Sequence, residues 1–431
     1  MKRYIIFALV IIPLFAINQD FKYNYKNKGL RVDYIHSGNN DGEDYELKEF
    51  VEEKYYGGNK LNLIDTFDYG NYRFEMRDLA RDEVLYSRGY SSLFREWQAT
   101  EEAKYTYKSF PESVSMPYPR DPVKIEFYSR NKDMSWTKTL SIHFHPDKTQ
   151  LKKHNLYKFK KSKVHYSGKP EEKVDIVILA EGYTKDEMKK FKKDCERFKD
   201  IILGAKPYNT NKDKINIWAV HSISEESGTD NPIDNANVNT VLNSNFYTFD
   251  SERYLTTMDY HRVKDVAGNA PCDQIYILVN HEKYGGGGIY NFYSIGTSDN
   301  PQAGFLFQHE FGHAFAGLGD EYYTSDVSVE DFYPLNTEPW EPNLTTMVDF
   351  DSKWKDMIDK DTPIPTPVAE KYFSTVGVYE GGGYKAKGVF RPYVDCTMKS
   401  VKYDAFCPVC QRAIEQMIDF YSRGKPKSHK R

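Results

Sequence analysis

The chain has 431 residues, room for two or three domains with a sizeable core, and a formal net charge of −4. Charge so close to balance lacks the basic excess that a nucleic-acid-binding surface needs, so that class of partner is excluded. Aromatic residues make up 15% of the chain, mostly through 35 tyrosines, a share that suits β-strand packing.

Lys2 and Arg3 precede an apolar run over residues 4–15 that ends at Ala16. By charge, length and order, residues 1–17 read as a signal peptide. The run is short for a membrane span, and no later stretch is apolar for long enough, so no transmembrane segment is expected. No cysteine stands at the cleavage point, which argues against a lipid anchor. The expected destination is export, whether periplasmic, cell-surface or secreted.

Residues 18–166 carry runs that alternate apolar and polar, at 61–65, 72–76, 123–128 and 139–144. Such runs between turn residues predict an N-terminal antiparallel β-sandwich. His143 and His145 share one strand face, where solvent-facing positions account for them. Residues 168–172 read as a linker into a second domain over 170–424, and the basic residues 425–431 form a tail.

In the second domain the period changes. Residues 174–180, apolar except for Asp175, read as a buried strand. Thr184 and Glu187 make a capping box that opens a helix to about Leu203. Further strands are expected at 215–220 and 274–279. Strand and helix alternate, which predicts a mostly parallel sheet, so the whole chain combines α+β and α/β character. The glycines at 285–288 follow a strand, but no Gly-Lys-Ser/Thr comes after them, so a phosphate loop is excluded. They read instead as a flexible turn into an edge strand, the kind of edge that can pair with an extended peptide.

The chemistry concentrates in His309-Glu310-Phe311-Gly312-His313. On a helix, His309 and His313 stand one turn apart on one face, the spacing with which two imidazoles hold one Zn²⁺. Glu310 lies beside them, placed to take a proton from a water rather than to ligate. Asn300 and Pro301 supply a cap and a first helical residue. Phe305, Leu306, Phe311, Ala314 and Phe315 should bury the remaining faces. Gly317 and Gly319 end the helix and turn the chain, which brings Asp320 back as the third metal ligand. Glu321, the next residue, should point the other way and is placed to brace a histidine ring N–H.

This stretch, continuing through Leu318-Gly319-Asp320-Glu321-Tyr322, resembles the IgA-peptidase family of secreted bacterial zinc metalloendopeptidases. The resemblance implies a metzincin-like zinc peptidase domain with a mixed sheet and a zinc-bearing helix, acting on protein or peptide. Cleavage of immunoglobulin A belongs to particular members and is not carried by the motif. Relative to the long metzincin pattern, glycine and third ligand each come one residue late, at Gly317 and Asp320, while their mutual spacing is kept. By the same analogy Met398, in the segment 395–400, would form the methionine turn beneath the metal. Tyr403 would be available to stabilise an oxyanion. A zinc amidase acting on cell wall or glycoprotein would share the metal site, and a peptidase fold that only binds would share the architecture.

Residues 324–395 show little periodicity and read as a loop-rich region that shapes a cleft. The five cysteines are Cys195, Cys272, Cys396, Cys407 and Cys410, an odd number that leaves at least one unpaired. Cys407 and Cys410 resemble half a zinc ribbon, but no second pair has matching spacing. A disulfide among Cys396, Cys407 and Cys410 is therefore the expectation. Residues 407–421 carry an apolar stripe through Val409, Ala413, Met417 and Phe420, the pattern of an amphipathic closing helix.

Overall fold

In the computed structural model, residues 21–153, 157–323, 333–403 and 405–422 are described. The expected signal peptide and basic tail lie outside them. In chain order the first part comprises α1 (Phe21–Asn24), β1 (Tyr25–Gly38), β2 (Glu43–Glu53), β3 (Tyr72–Asp78) and β4 (Val84–Tyr90). It continues with α2 (Leu93–Gln98), β5 (Lys108–Pro119), β6 (Val123–Arg130), β7 (Trp136–Phe144) and the two-residue β8 (Lys152–Lys153). Two four-stranded sheets result, ordered β5-β1-β2-β8 and β4-β3-β6-β7. Every pairing in them is antiparallel except the short β2–β8 contact. Aromatic rings fill the space around them: Tyr34 packs edge-on against Phe127, and His36 stacks on Tyr45 and Phe94.

One expected strand is absent. Residues 61–65 alternate in polarity but run as irregular chain, because side chains take over their backbone groups. Asn59 Oδ1 accepts from the N–H groups of Leu61 and Asn62, and Asp65 Oδ1 from that of Phe67. Short polar side chains that satisfy nearby N–H groups compete directly with sheet pairing.

The second part comprises β9 (Lys160–His165), β10 (Val174–Glu181), α3 (Met188–Gly204), β11 (Ile215–His221), α4 (Tyr260–Ala267), β12 (Gln274–Val279), β13 (Gly286–Ile289) and β14 (Tyr293–Thr297). After these come α5 (Ala303–Ala316), β15 (Tyr379–Gly382), β16 (Lys385–Arg391) and α6 (Pro408–Tyr421). Its six-stranded sheet has the order β13-β14-β12-β10-β11-β9. The inner four strands are parallel, and both edges, β13 and β9, are antiparallel. β9 falls inside the stretch expected for the sandwich, yet its partner is β11 of this sheet. The expected capping box forms only in part: Glu187 Oε2 accepts from both the backbone N–H and the hydroxyl of Thr184, but α3 begins at Met188, after Glu187 rather than after Thr184.

Burial on both faces explains the apolar run of β10. Val177 and Leu179 join a core shared with the sandwich and α4, while Ile176, Ile178 and Ala180 join one formed with α3, α5 and α6. Successive strand residues alternate between these two cores, so the run from Ile176 to Ala180 is apolar, while Asp175 and Glu181 at its ends are buried only with hydrogen-bond donors meeting them. The sandwich therefore forms one side of the six-stranded sheet. Hydrogen bonds tie the two parts, among them Arg31 Nη2 to Asp265 Oδ1 at 2.7 Å and Asn291 Nδ2 to Gly89 O at 2.8 Å. Among the described residues no helix is long and apolar enough to cross a membrane.

The glycine run is the edge strand itself, not a turn before it. A Cβ at Gly288 would stand 2.1 Å from the backbone oxygen of Glu310, and one at Gly286 would press on Leu306 and Glu310. Only glycine lets β13 lie this close along α5. Gly288→Ala is expected to cost at least about 1–3 kcal/mol through overpacking and to lower the thermal midpoint. Gly42→Ala is the control, because an added Cβ there meets nothing within 4 Å. Equal midpoints for the two variants would contradict this account of the strand.

Candidate metal centre

Helix α5 begins two residues later than expected. Asn300 still organises its approach, with Oδ1 accepting from Gln302 N–H and its carbonyl from Ala303 N–H. The helix ends at Gly317 in the left-handed conformation, φ +62°, where glycine carries no steric penalty. The N–H groups of Gly317 and Leu318 return to the carbonyls of His313 and Gly312 and close the last turn. The exit is then clamped by Asn343, a buried residue sequence reasoning did not single out. Its side chain donates to Gly319 O at 2.9 Å and accepts from Gly319 N–H at 2.7 Å.

This turn brings Asp320 back over the helix. Asp320 Oδ1 lies 3.1 Å from His309 Nε2 and 3.3 Å from His313 Nε2, and the two Nε2 atoms are 3.1 Å apart. Both Nδ1 atoms are committed to backbone carbonyls, His309 to Thr397 O at 3.0 Å and His313 to Leu318 O at 2.5 Å. An Nδ1–H held this way leaves the Nε2 lone pair aimed at the shared point. Two imidazole nitrogens and a carboxylate oxygen thus converge, and Asp320 Oδ1 is buried with no donor aligned on it. Ligands about 2.0–2.1 Å from a tetrahedral zinc ion stand about 3.3–3.4 Å apart. The three observed separations match that triangle within about 0.3 Å, so the residues fit the ion.

The charges are arranged to the same end. Burial disfavours a positive His313, but the Asp320 carboxylate outweighs it and pulls the ring up to about 9. Burial would raise Asp320, yet His313 and His309 hold it well below the usual carboxylate range. The point between these groups is therefore one where a positive charge is stabilised. Burial raises Glu310 above the ordinary range, and a carboxylate oxygen of it lies within 4.8 Å of both histidines' ligand atoms.

A cavity of about 730 Å³ opens over this cluster, lined by His309, Glu310, His313 and Asp320 together with Gly286, Gly287 and Gly288 of β13. Met398 is fully buried beneath α5, its Sδ 2.9 Å from where a Cβ on Gly312 would be. Its neighbour Thr397 supplies the carbonyl that orients His309. Tyr403 is not brought to the site: it is 37% exposed and does not line the cavity. Tyr322 stacks beside His309, and Tyr384, in the β15–β16 turn, does reach the cluster, its hydroxyl donating to Asp320 Oδ2. Nothing in its local sequence distinguishes it from the other tyrosines. Glu321 does not brace a histidine either. It turns into the core, where Asn343 Nδ2 donates to its Oε1 at 3.0 Å.

The sandwich also reaches the cavity. Arg95 and Glu96 of α2 line its wall, and Tyr254 donates to Glu96. Burial, reinforced by the nearby Glu310 and Asp320 carboxylates, lifts Glu96 to about 7 against the pull of Tyr254 and His313.

Comparison with protein families matches residues 163–375 and 368–418 to the model described as IgA Peptidase M64. Residues 20–141 match the one described as Peptidase M64 N-terminus. Comparison with curated proteins gives no match. Since the peptidase match alone spans more than half of the chain and takes in the whole histidine cluster, the chain belongs to the IgA peptidase M64 family, a family of metallopeptidases with protein substrates.

Proposed function

We propose that this chain is an exported zinc metalloendopeptidase that cleaves extended segments of extracellular proteins. The observation that carries the reading is the triangle of His309 Nε2, His313 Nε2 and Asp320 Oδ1 on the floor of the large cavity. These three residues would hold the ion and leave a fourth position open to the cavity. Bound there, zinc supplies Lewis acidity, making water nucleophilic near neutral pH and polarising the scissile carbonyl. Glu310 accepts the proton of the attacking water and delivers it to the leaving amine. Its burial, which favours the protonated carboxyl, brings its basicity closer to that task.

The surrounding architecture supports a metzincin-like arrangement. It has an antiparallel edge strand along the zinc-bearing helix, a glycine turn after it and a buried methionine below. In β13, Gly286 is bonded to Arg253 O and Leu255 N–H, and Gly288 presents its backbone on the same side two residues later. A substrate strand would add at Gly288, beyond the Arg253–Leu255 segment that already pairs with Gly286. Export rests on the charged and apolar order of residues 1–17.

Mapping cut sites across a mixture of extracellular proteins, with and without a chelator, tests the reading. Chelator-sensitive cleavage within polypeptide chains is expected. Release of only glycan or cell-wall fragments would replace it with the amidase reading. N-terminal sequencing of the exported protein should find a start near residues 17–20, and a retained Met1 would overturn export through this signal.

A further inference from the structure

Behind the histidine cluster lies a second convergence of ligand atoms. Glu321 turns away from the cavity and meets Cys396, Cys407 and Cys410, all of them 0–1% exposed. One ligand atom from each lies within 4.8 Å of the other three. Cys410 Sγ is 3.2 Å from Glu321 Oε1, and Cys396 Sγ is 3.8 Å from Cys410 Sγ. The expected disulfide is not formed, and all three are free thiols.

The distances discriminate between the two uses of such cysteines. A disulfide holds its sulfurs about 2.0 Å apart. Thiolates about 2.3 Å from a tetrahedral zinc ion stand about 3.8 Å apart, and a thiolate and carboxylate oxygen about 3.5 Å apart. The observed pairs match the metal geometry. The chemistry agrees with it: Glu321 Oε2 is buried with no partner, and a buried carboxylate is costly unless a cation or donor meets it. Backbone N–H groups already point at sulfur, Cys407 N–H to Cys396 Sγ at 3.2 Å and Cys410 N–H to Cys407 Sγ at 3.5 Å. Such bonds favour the thiolate over the thiol. Cys407 also caps α6, where the N-terminal end of the helix favours negative charge.

We infer that Glu321, Cys396, Cys407 and Cys410 form a second, closed metal centre that takes zinc as a structural ion. Three thiolates and one carboxylate leave no position for substrate, and the soft sulfur donors select zinc over calcium or magnesium. Binding releases the three thiol protons. The ion joins three segments that are distant in sequence: the exit from α5, the turn that carries Thr397 and Met398, and the start of α6. Glu321 N–H already donates to Met398 O at 2.8 Å, so the centre reinforces the turn whose Thr397 carbonyl orients His309. It also keeps the thiols of an exported protein from oxidising.

Cobalt substitution of the full-length mature protein tests this without any cysteine variant. The histidine cluster offers no sulfur, so a sulfur-to-cobalt charge-transfer band in the near ultraviolet can arise only from thiolates. That band is expected, and its absence from a fully cobalt-loaded protein would overturn the inference. Metal analysis of the His309→Ala/His313→Ala protein provides a second reading, with about one zinc per chain retained at the closed site. A folded double variant that holds no zinc, or whose intact mass shows a disulfide among the three cysteines, would likewise overturn it. These readouts do not depend on peptidase activity, so they stand apart from the proposed function.

Discussion

Glu310→Gln is expected to lower kcat/KM for peptide cleavage by about 10²–10⁴-fold, a rise in barrier of about 3–5 kcal/mol, while the protein keeps its zinc. The amide has nearly the shape of the carboxyl but cannot accept the proton. The position is half-buried and close to both histidines, within 4.8 Å by ligand atoms, yet it sits outside the close triangle formed with Asp320. The loss should fall mainly on kcat, because the group acts during the reaction rather than in holding substrate. If zinc leaves together with activity, Glu310 is a ligand, and the assignment of roles within the motif is wrong.

Asp320→Ala should have the larger effect on the metal. It removes one corner of the triangle and the negative charge that offsets the ion, so the variant should be isolated short by about one zinc per chain relative to the parent. Tyr384→Phe provides the graded comparison. Its hydroxyl donates to Asp320 Oδ2, which leaves Oδ1 facing the two imidazoles. Loss of such a supporting bond costs about 10–100-fold in metal affinity without emptying the site. Competition with a chelator of known affinity measures both. An Asp320→Ala protein with its full zinc complement would move the third position elsewhere.

What could be read from the sequence was mostly what is decided within a few residues. The helix that carries His309 and His313, its glycine exit and the Thr184–Glu187 contact before α3 all rest on contacts between near neighbours. Three of the four inner strands of the six-stranded sheet, β10, β11 and β12, were legible too, because burial on both faces makes them predominantly apolar. Features decided by distant parts of the chain were not legible. The glycines of β13 read as flexible because the reason for them is the backbone of Glu310, more than twenty positions on. Tyr384 and Glu96 reach the cavity through the packing of a hairpin and of the sandwich, and neither carries a local signature. Tyr403 was chosen by distance along the chain from Met398 and lies at the surface instead.

The cysteines show the same limit from another direction. Counting and spacing suggested a disulfide, because a zinc ribbon needs a second pair of ligands. The missing partners are Cys396, from a separate turn, and Glu321, a residue type that spacing rules for ribbons do not include. Glu321 was read against Asp320 as a competitor for one metal. Adjacent residues in an extended segment point to opposite sides, and here the two sides hold two different clusters.

The most direct test of the account is zinc-edge anomalous scattering from crystals of the mature protein. The expected result is a peak about 2.0–2.1 Å from Nε2 of both His309 and His313 and in contact with Asp320 Oδ1, on the floor of the cavity beside Glu310. No peak at that point in zinc-replete, proteolytically active crystals, or an ion there held by a different third residue, would contradict it.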